Sequence, residues 1–237
     1  MERYNNMELN KIYHGDSYKL IKQLQDKSVD LIFTDPPYGI KADKGTHGFG
    51  NSHDTVKKYT DDWDNLTPSQ DFFNELLRVG KKVIIFGGNY FTDKLPKSNH
   101  WIVWDKQGGI EFNNPFSACE LLWTNINKNN VVKYIQIQQG FIKDGYDERI
   151  HPTQKPLELC KKIILDYTEE NDIVLDTFSG SGTICVASKE TGRNYIGIEI
   201  NEQHYKNSVD RLNGIMESDK KDKENGILNI FDFMKEE

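Results

Sequence analysis

Asp35, Pro36, Pro37 and Tyr38 stand consecutively, and their types suit one kind of chemistry. The exocyclic amino group of a nucleobase is a weak nucleophile, because its lone pair is delocalised into the ring. Two acceptors aimed at its hydrogens favour a more tetrahedral, more reactive nitrogen. The Asp35 carboxylate can be one acceptor. The Pro36 carbonyl, stiffened by the Pro-Pro unit, can be the other. Tyr38 offers an aromatic face to a base taken out of its stack. The competing reading is a proline-rich turn that merely ends a strand.

A second stretch suits a nucleoside. Asp172-Ile173-Val174-Leu175-Asp176 reads as a strand, and Thr177-Phe178-Ser179-Gly180-Ser181-Gly182-Thr183 as a glycine turn opening a helix. Tyr195-Ile196-Gly197-Ile198-Glu199 is a further strand ending in an acid. Gly180 and Gly182 let backbone approach a ligand, and Glu199 is placed for two ribose hydroxyls. Cys185 stands where the dinucleotide fingerprint has its third glycine, which favours a nucleoside without phosphates. Lys155, beside Pro156 at a helix entrance, could meet a carboxylate. Asp16 ends the first strand and either caps a helix or touches a cofactor.

These residues need strands to carry them. Val29-Asp30-Leu31-Ile32-Phe33 is short, apolar and partly β-branched, so it predicts a buried parallel strand ending at Thr34. With Lys11-Ile12-Tyr13-His14 and the helical spacing of Leu20, Ile21 and Leu24, it forms a β-α-β unit. Further strands are expected at 83–86, 100–105 and 120–124, and helices at 71–79, 157–168 and 204–212. Ligands gather at the carboxyl ends of such strands. The polar, glycine-rich loop 39–64 reads as a mobile lid, with Lys41, Lys44, Lys57 and Lys58 as phosphate contacts and Arg149 as another. Residues 125–150 read as a small recognition insert. A single catalytic domain over 1–216 and a charged tail over 217–237 complete the layout.

Composition bounds the class. The chain is 36% hydrophobic and 28% charged, which fits a globular protein with a substantial core. No apolar run approaches a membrane span. The three scattered cysteines give neither a zinc pattern nor a disulfide framework, so no metal is expected and the cytoplasm is the expected compartment. The net charge of −7 counts mildly against nucleic acid. Four lysines against seven acids in Glu217 to Glu237 put −3 of it in the tail, and binding needs only a local basic face. Apolar Ile227, Ile230, Phe231 and Phe233 could dock on the body or on a second copy, leaving a homodimer open.

Asp35-Pro36-Pro37-Tyr38, the segment His151 to Pro156 and Phe178-Ser179-Gly180-Ser181-Gly182-Thr183 together resemble the amino-group DNA methyltransferases that use S-adenosylmethionine. Their order, catalytic half first and cofactor half last, is similar to the beta arrangement of that family. The resemblance covers about residues 9 to 212. It implies an α/β fold: a doubly wound, mostly parallel seven-stranded Rossmann-like sheet with one reversed edge strand. It implies methyl transfer to DNA in a restriction-modification setting, with adenine N6 as target because Asp heads the motif. Cytosine N4 is the alternative, and a non-catalytic DNA-binding regulator on the same scaffold is the rival of another class. By resemblance, Asp35 and the Pro36 carbonyl hold the amino group and Tyr38 stacks on the base. Asp16 lies near the cofactor's adenine side, and Thr153 and Lys155 meet its methionine carboxylate. Asp176 and Phe178 to Thr183 enclose the cofactor, and Glu199 holds its ribose. Thr177 and Ile184 depart from the family pattern beside the cofactor loop.

Overall fold

The structure, a computed structural model, describes residues 3–4, 7–40, 67–110, 117–139, 142–143 and 154–214. In chain order the strands are β1 (Arg3–Tyr4), β2 (Met7–Glu8), β3 (Lys11–His14), β4 (Val29–Thr34), β5 (Gly80–Phe86), β6 (Trp101–Asp105), β7 (Cys119–Thr124), β8 (Val131–Ile135), β9 (Gln138–Gln139), β10 (Ile142–Lys143), β11 (Ile173–Asp176) and β12 (Asn194–Glu199). The helices are α1 (Ser17–Leu20), α2 (Gln70–Val79), α3 (Leu157–Tyr167), α4 (Thr183–Glu190) and α5 (Glu202–Leu212).

Eight strands form the main sheet in the order β3-β12-β11-β4-β5-β7-β6-β8. The expected class is present, with two differences. Among the described residues the sheet has eight strands where seven are expected, and its reversed strand is not at an edge. β7 runs antiparallel to both β5 and β6, so β6 and the edge strand β8 return to the common direction. The eighth strand comes from within 125–150. Along β8, Val131, Lys133 and Ile135 are exposed while Val132 and Tyr134 are half-buried, the alternation of a strand covered on one face.

Period-two alternation also sorts the central strands into two cores. Ile32, Val83 and Ile85 point to one face, where α2 covers them with Phe72, Phe73, Leu76 and Val79. Leu31, Phe33, Ile84 and Phe86 point to the other, against Leu159, Cys160, Ile163 and Ile164 of α3. Burial on both faces explains why β4 reads as a nearly continuous apolar run. Ser69 caps α2 by accepting from Phe72 N–H, and Asn201 caps α5 by accepting from Gln203 and His204 N–H.

β4 continues into α2 and β5 on one side, whereas the neighbouring β11 continues into α4 and β12 on the other. The carboxyl ends of β4 and β11 therefore meet at a topological switch point, where open α/β sheets bind ligands. Lys41, Lys44, Lys57, Lys58, Arg149 and Thr153, with residues 217–237, lie outside the described residues. So does most of 39–64.

Candidate active site

The two strand ends are tied together directly. Thr34 Oγ1 donates to Asp176 Oδ1 at 2.9 Å, and Phe178 N–H donates to the same oxygen at 3.2 Å. Asp176 is only 2% exposed. Burial pushes its carboxyl up to about 7, against the pull of those two donors and with further push from Asp35 and Glu199.

Past these ends opens a cavity of about 430 Å³. Asp35, Pro36, Pro37 and Tyr38 line one wall, and Asp176, Phe178, Ser179, Gly180, Ser181, Thr183 and Glu199 another. Most of the residues singled out in the sequence meet here. Gly182 lies below the loop at φ +73°, where a Cβ would come within 2.9 Å of Ser208 Cβ on α5. Asp16 stands apart: its carboxylate accepts from Tyr18 N–H at 2.9 Å as the cap of α1, and it does not line the cavity.

The opposite wall presents acceptors. Glu199, 8% exposed, ends β12 and takes one backbone N–H on each oxygen, from Gly180 at 2.7 Å and from Asn201 at 2.8 Å. Those donors fix the carboxylate while leaving lone pairs for ligand hydroxyls. Ser179 Oγ is buried and has no hydrogen-bond partner among the described residues. The loop is held from behind by the buried Arg211 of α5, which donates to Ser181 O at 3.1 Å and Thr183 Oγ1 at 2.9 Å.

The Asp35 wall is a chain of alternating charges. Asp35 Oδ1 accepts from Tyr38 Oη–H at 2.6 Å, and Asp35 Oδ2 faces Lys155 Nζ at 2.8 Å. Lys155 Nζ also lies 3.5 Å from Glu120 Oε2, and Lys106 Nζ is paired with Glu120 Oε1. Lys155 thus leaves the entrance of α3 to join Asp35. Burial would lower its ammonium pKa, but Asp35 and Glu120 outweigh burial and raise it. Burial raises the Asp35 carboxyl, partly offset by Lys155. The Tyr38 ring stacks on Tyr90 with centroids 4.7 Å apart, and Phe91 packs on it edge-on at 6.1 Å. Gly87 makes this seat possible: a Cβ there would fall 2.3 Å from the Tyr38 ring.

Glu120, Lys106, Tyr90, Gly87 and Arg211 were not singled out from sequence. Glu120 sits near the start of the reversed strand β7, and only in a reversed strand does the amino end reach the active edge. Lys106 follows β6 directly, so a charge just past a strand's carboxyl end was the one available signal.

A doubly wound sheet with an acid-lined switch-point cavity beside a glycine loop is an arrangement in which open α/β sheets bind ligands. The N6_N4_Mtase family, DNA methylase, matches residues 92–210, and the chain belongs to it. It is similar to the type II methyltransferase M2.LlaDCHI of Lactococcus lactis subsp. cremoris, 28% identical over 241 residues that cover 85% of this chain and 88% of the relative. It is also similar to the type II methyltransferase M.HinfI of Haemophilus influenzae, 30% identical over 245 residues, covering 83% and 66%. The crystal structure of the M1.HpyAVI–SAM complex matches with a TM-score of 0.56 and 25% identity, covering 86% of this chain and 98% of that one. PvuII DNA methyltransferase (cytosine-N4-specific) shares the fold, with a TM-score of 0.52 at 16% identity and coverage of 89% and 91%. The chain is therefore an S-adenosylmethionine-dependent DNA methyltransferase of the amino-methylating family.

The cavity fits that cofactor. The fixed Glu199 oxygens suit hydroxyl donors, and the buried Ser179 Oγ, without a partner among the described residues, suits a polar group of the ligand. Among the described residues no His, Cys, Asp and Glu cluster could hold a metal, and no helix is long and apolar enough to cross a membrane.

Proposed function

We propose that this chain methylates the exocyclic N6 of adenine in DNA. One observation supports methyl transfer at this site: the Asp35–Tyr38 turn and the Phe178–Ser181 loop with Glu199 line a single cavity. S-adenosylmethionine supplies an electrophilic methyl group on a sulfonium sulfur, which leaves as a neutral thioether. Glu199 holds the ribose hydroxyls, and Phe178, Ser179, Gly180, Ser181 and Thr183 enclose the rest, with Asp176 behind them. Asp35 accepts one hydrogen of the target amino group and the Pro36 carbonyl the other. The nitrogen lone pair is thereby freed to form the new N–C bond. The proton then leaves the nitrogen for Asp35 or for water.

Tyr38 is pre-oriented for the base. One face is taken by Tyr90, and its hydroxyl is fixed on Asp35. Lys155 Nζ lies over the ring, 5.6 Å from its centroid, so a flipped base would stack on the part of the ring that Tyr90 and Lys155 leave uncovered, and stacking of this kind contributes roughly 1–3 kcal/mol per base. Lys155, read from sequence as a contact to the cofactor carboxylate, is better suited to orienting Asp35. Lys41, Lys44, Lys57, Lys58 and Arg149 supply phosphate contacts from outside the described residues, Thr153 contacts the methionine carboxylate, and Asp16 acts as a helix cap. Adenine is preferred to cytosine because Asp heads the Pro-Pro motif.

Tritiated methyl transfer to unmethylated DNA, followed by nucleoside analysis, tests this. N6-methyladenine is expected. N4-methylcytosine would move the target to cytosine, and no product would favour a non-catalytic regulator.

A further inference from the structure

Four charges cross the floor of the cavity in alternation: Asp35, Lys155, Glu120 and Lys106. Their side chains are 20%, 10%, 21% and 16% exposed. They come from four separate places, the end of β4, the entrance of α3, the start of β7 and the residue after β6. Glu120 lies opposite Trp104 in the β6–β7 register, and Lys106 N–H donates to Ala118 O at 2.9 Å, so the hairpin partners hold Glu120 and Lys106 together. Two cations balance two anions. Lys155 and Lys106 draw the Glu120 carboxyl down, outweighing the opposite push of its burial.

The proposed mechanism needs a lone pair on Asp35, yet both Asp35 oxygens already have donors, Tyr38 and Lys155. An ammonium paired with one carboxylate alone would hold that carboxylate tightly and drain its basicity. Here a second carboxylate competes for the same ammonium. We infer that Glu120 is a positioning residue of the methyl-transfer site: by sharing the Lys155 ammonium it keeps the Asp35 carboxylate available to the target amino group. Its Oε2 is buried and makes no hydrogen bond among the described residues, with Lys155 Nζ 3.5 Å away, so the sharing is electrostatic. The inference rests on Asp35 being the acceptor for that group. The charged groups facing Asp35 are Lys155, Glu120 and Asp176, with the Tyr38 hydroxyl; those facing Glu120 are Lys155, Lys106 and Asp35, again with Tyr38.

The sign follows from the charges. Glu120 raises the Asp35 carboxyl, and Lys155 lowers it. Glu120→Gln leaves Asp35 as the remaining carboxylate on Lys155 among the described residues, beside the Tyr38 hydroxyl at 3.5 Å. The acidic limb of the pH profile should move down by about one unit, and single-turnover methylation at saturating cofactor should fall, by at most about tenfold for that change in basicity. Lys106→Gln should act oppositely. Glu120, freed of Lys106, draws Lys155 off Asp35, and the acidic limb moves up. Cofactor affinity by calorimetry should be unchanged in both variants. A role confined to folding would lower stability without moving the two limbs in opposite directions. Two profiles that match the unsubstituted enzyme, or that shift together, overturn the inference. If Glu120→Gln does not fold, the Lys106→Gln limb decides alone, and an unmoved limb overturns it. Asp35→Asn is run beside them. If it keeps full activity, the reading of Asp35 falls and takes this inference with it. If it is inactive while the limbs stay put, only the role of Glu120 falls.

Discussion

The residues that matter here are acids whose surroundings set them different tasks. Glu199 is fixed by two backbone donors, so its carboxylate needs no reorganisation to receive a ligand. Glu199→Ala should weaken S-adenosylmethionine binding by one to two decades, because a hydrogen bond to a charged group contributes roughly 1.5–3 kcal/mol. Calorimetry showing unchanged affinity would remove Glu199 from the cofactor site. Asp176 carries a pH signature. Its folded carboxyl titrates at about 7 and its unfolded one near 3.8. The folded state therefore holds more protons across that window, and stability contributed by this group is present below it and is lost as pH rises through it. Asp176→Asn should flatten the decline in Tm of the ligand-free protein between those values. An unchanged slope would mean that Asp176 ionises normally. Both acids were visible in the sequence as strand-end residues; the difference between them lies in burial, which no spacing reports.

At the scale of elements, the sheet's alternation was readable wherever a strand is buried on both faces. β4, β5, β11 and β12 are such strands, and their apolar runs mark them. The helices α2, α3 and α5 follow from their spacing, with Pro156 marking the entrance of α3. What was not readable was direction. β7 and a parallel strand have the same apolar look, so nothing in Cys119-Glu120-Leu121-Leu122-Trp123 says that Glu120 faces the catalytic end. The seat of Tyr38 was equally hidden, because it depends on Gly87 and Tyr90 from a turn after β5. Gly87 has φ +65°, so a side chain there is strained as well as obstructed. Gly87→Ala should displace the Tyr38 ring and release its hydroxyl from Asp35. Methyl transfer should drop at least about tenfold, the loss expected from weakening one such stack and hydrogen bond. Cofactor affinity should hold. If transfer is normal, the ordered seat of Tyr38 is not needed.

At the scale of the whole molecule, two halves of the chain meet at one switch point, and the DNA must come to that edge. The net charge of −7 leaves local lysines to do the attracting. Neutralising each true phosphate contact among Lys41, Lys44, Lys57 and Lys58 should reduce the slope of log affinity against log salt by about 1. A slope unmoved by all four substitutions would take the 39–64 loop off the DNA backbone. The catalytic claim itself needs a careful choice of variant. From the sequence, Asp35 looks removable without harm to the core. In the structure its carboxylate balances the buried Lys155, so Asp35→Ala leaves that cation with Glu120 alone and should also cost stability. Asp35→Asn keeps the shape and an acceptor but removes the charge. Single-turnover methylation of duplex DNA by Asp35→Asn, with cofactor affinity measured on the same preparation, is the most direct test. Loss of transfer by about a hundredfold or more, within the range ascribed to positioned acid–base groups, with cofactor binding retained, is the predicted result. Turnover close to that of the unsubstituted enzyme would contradict the assignment of Asp35 as the acceptor for the target amino group.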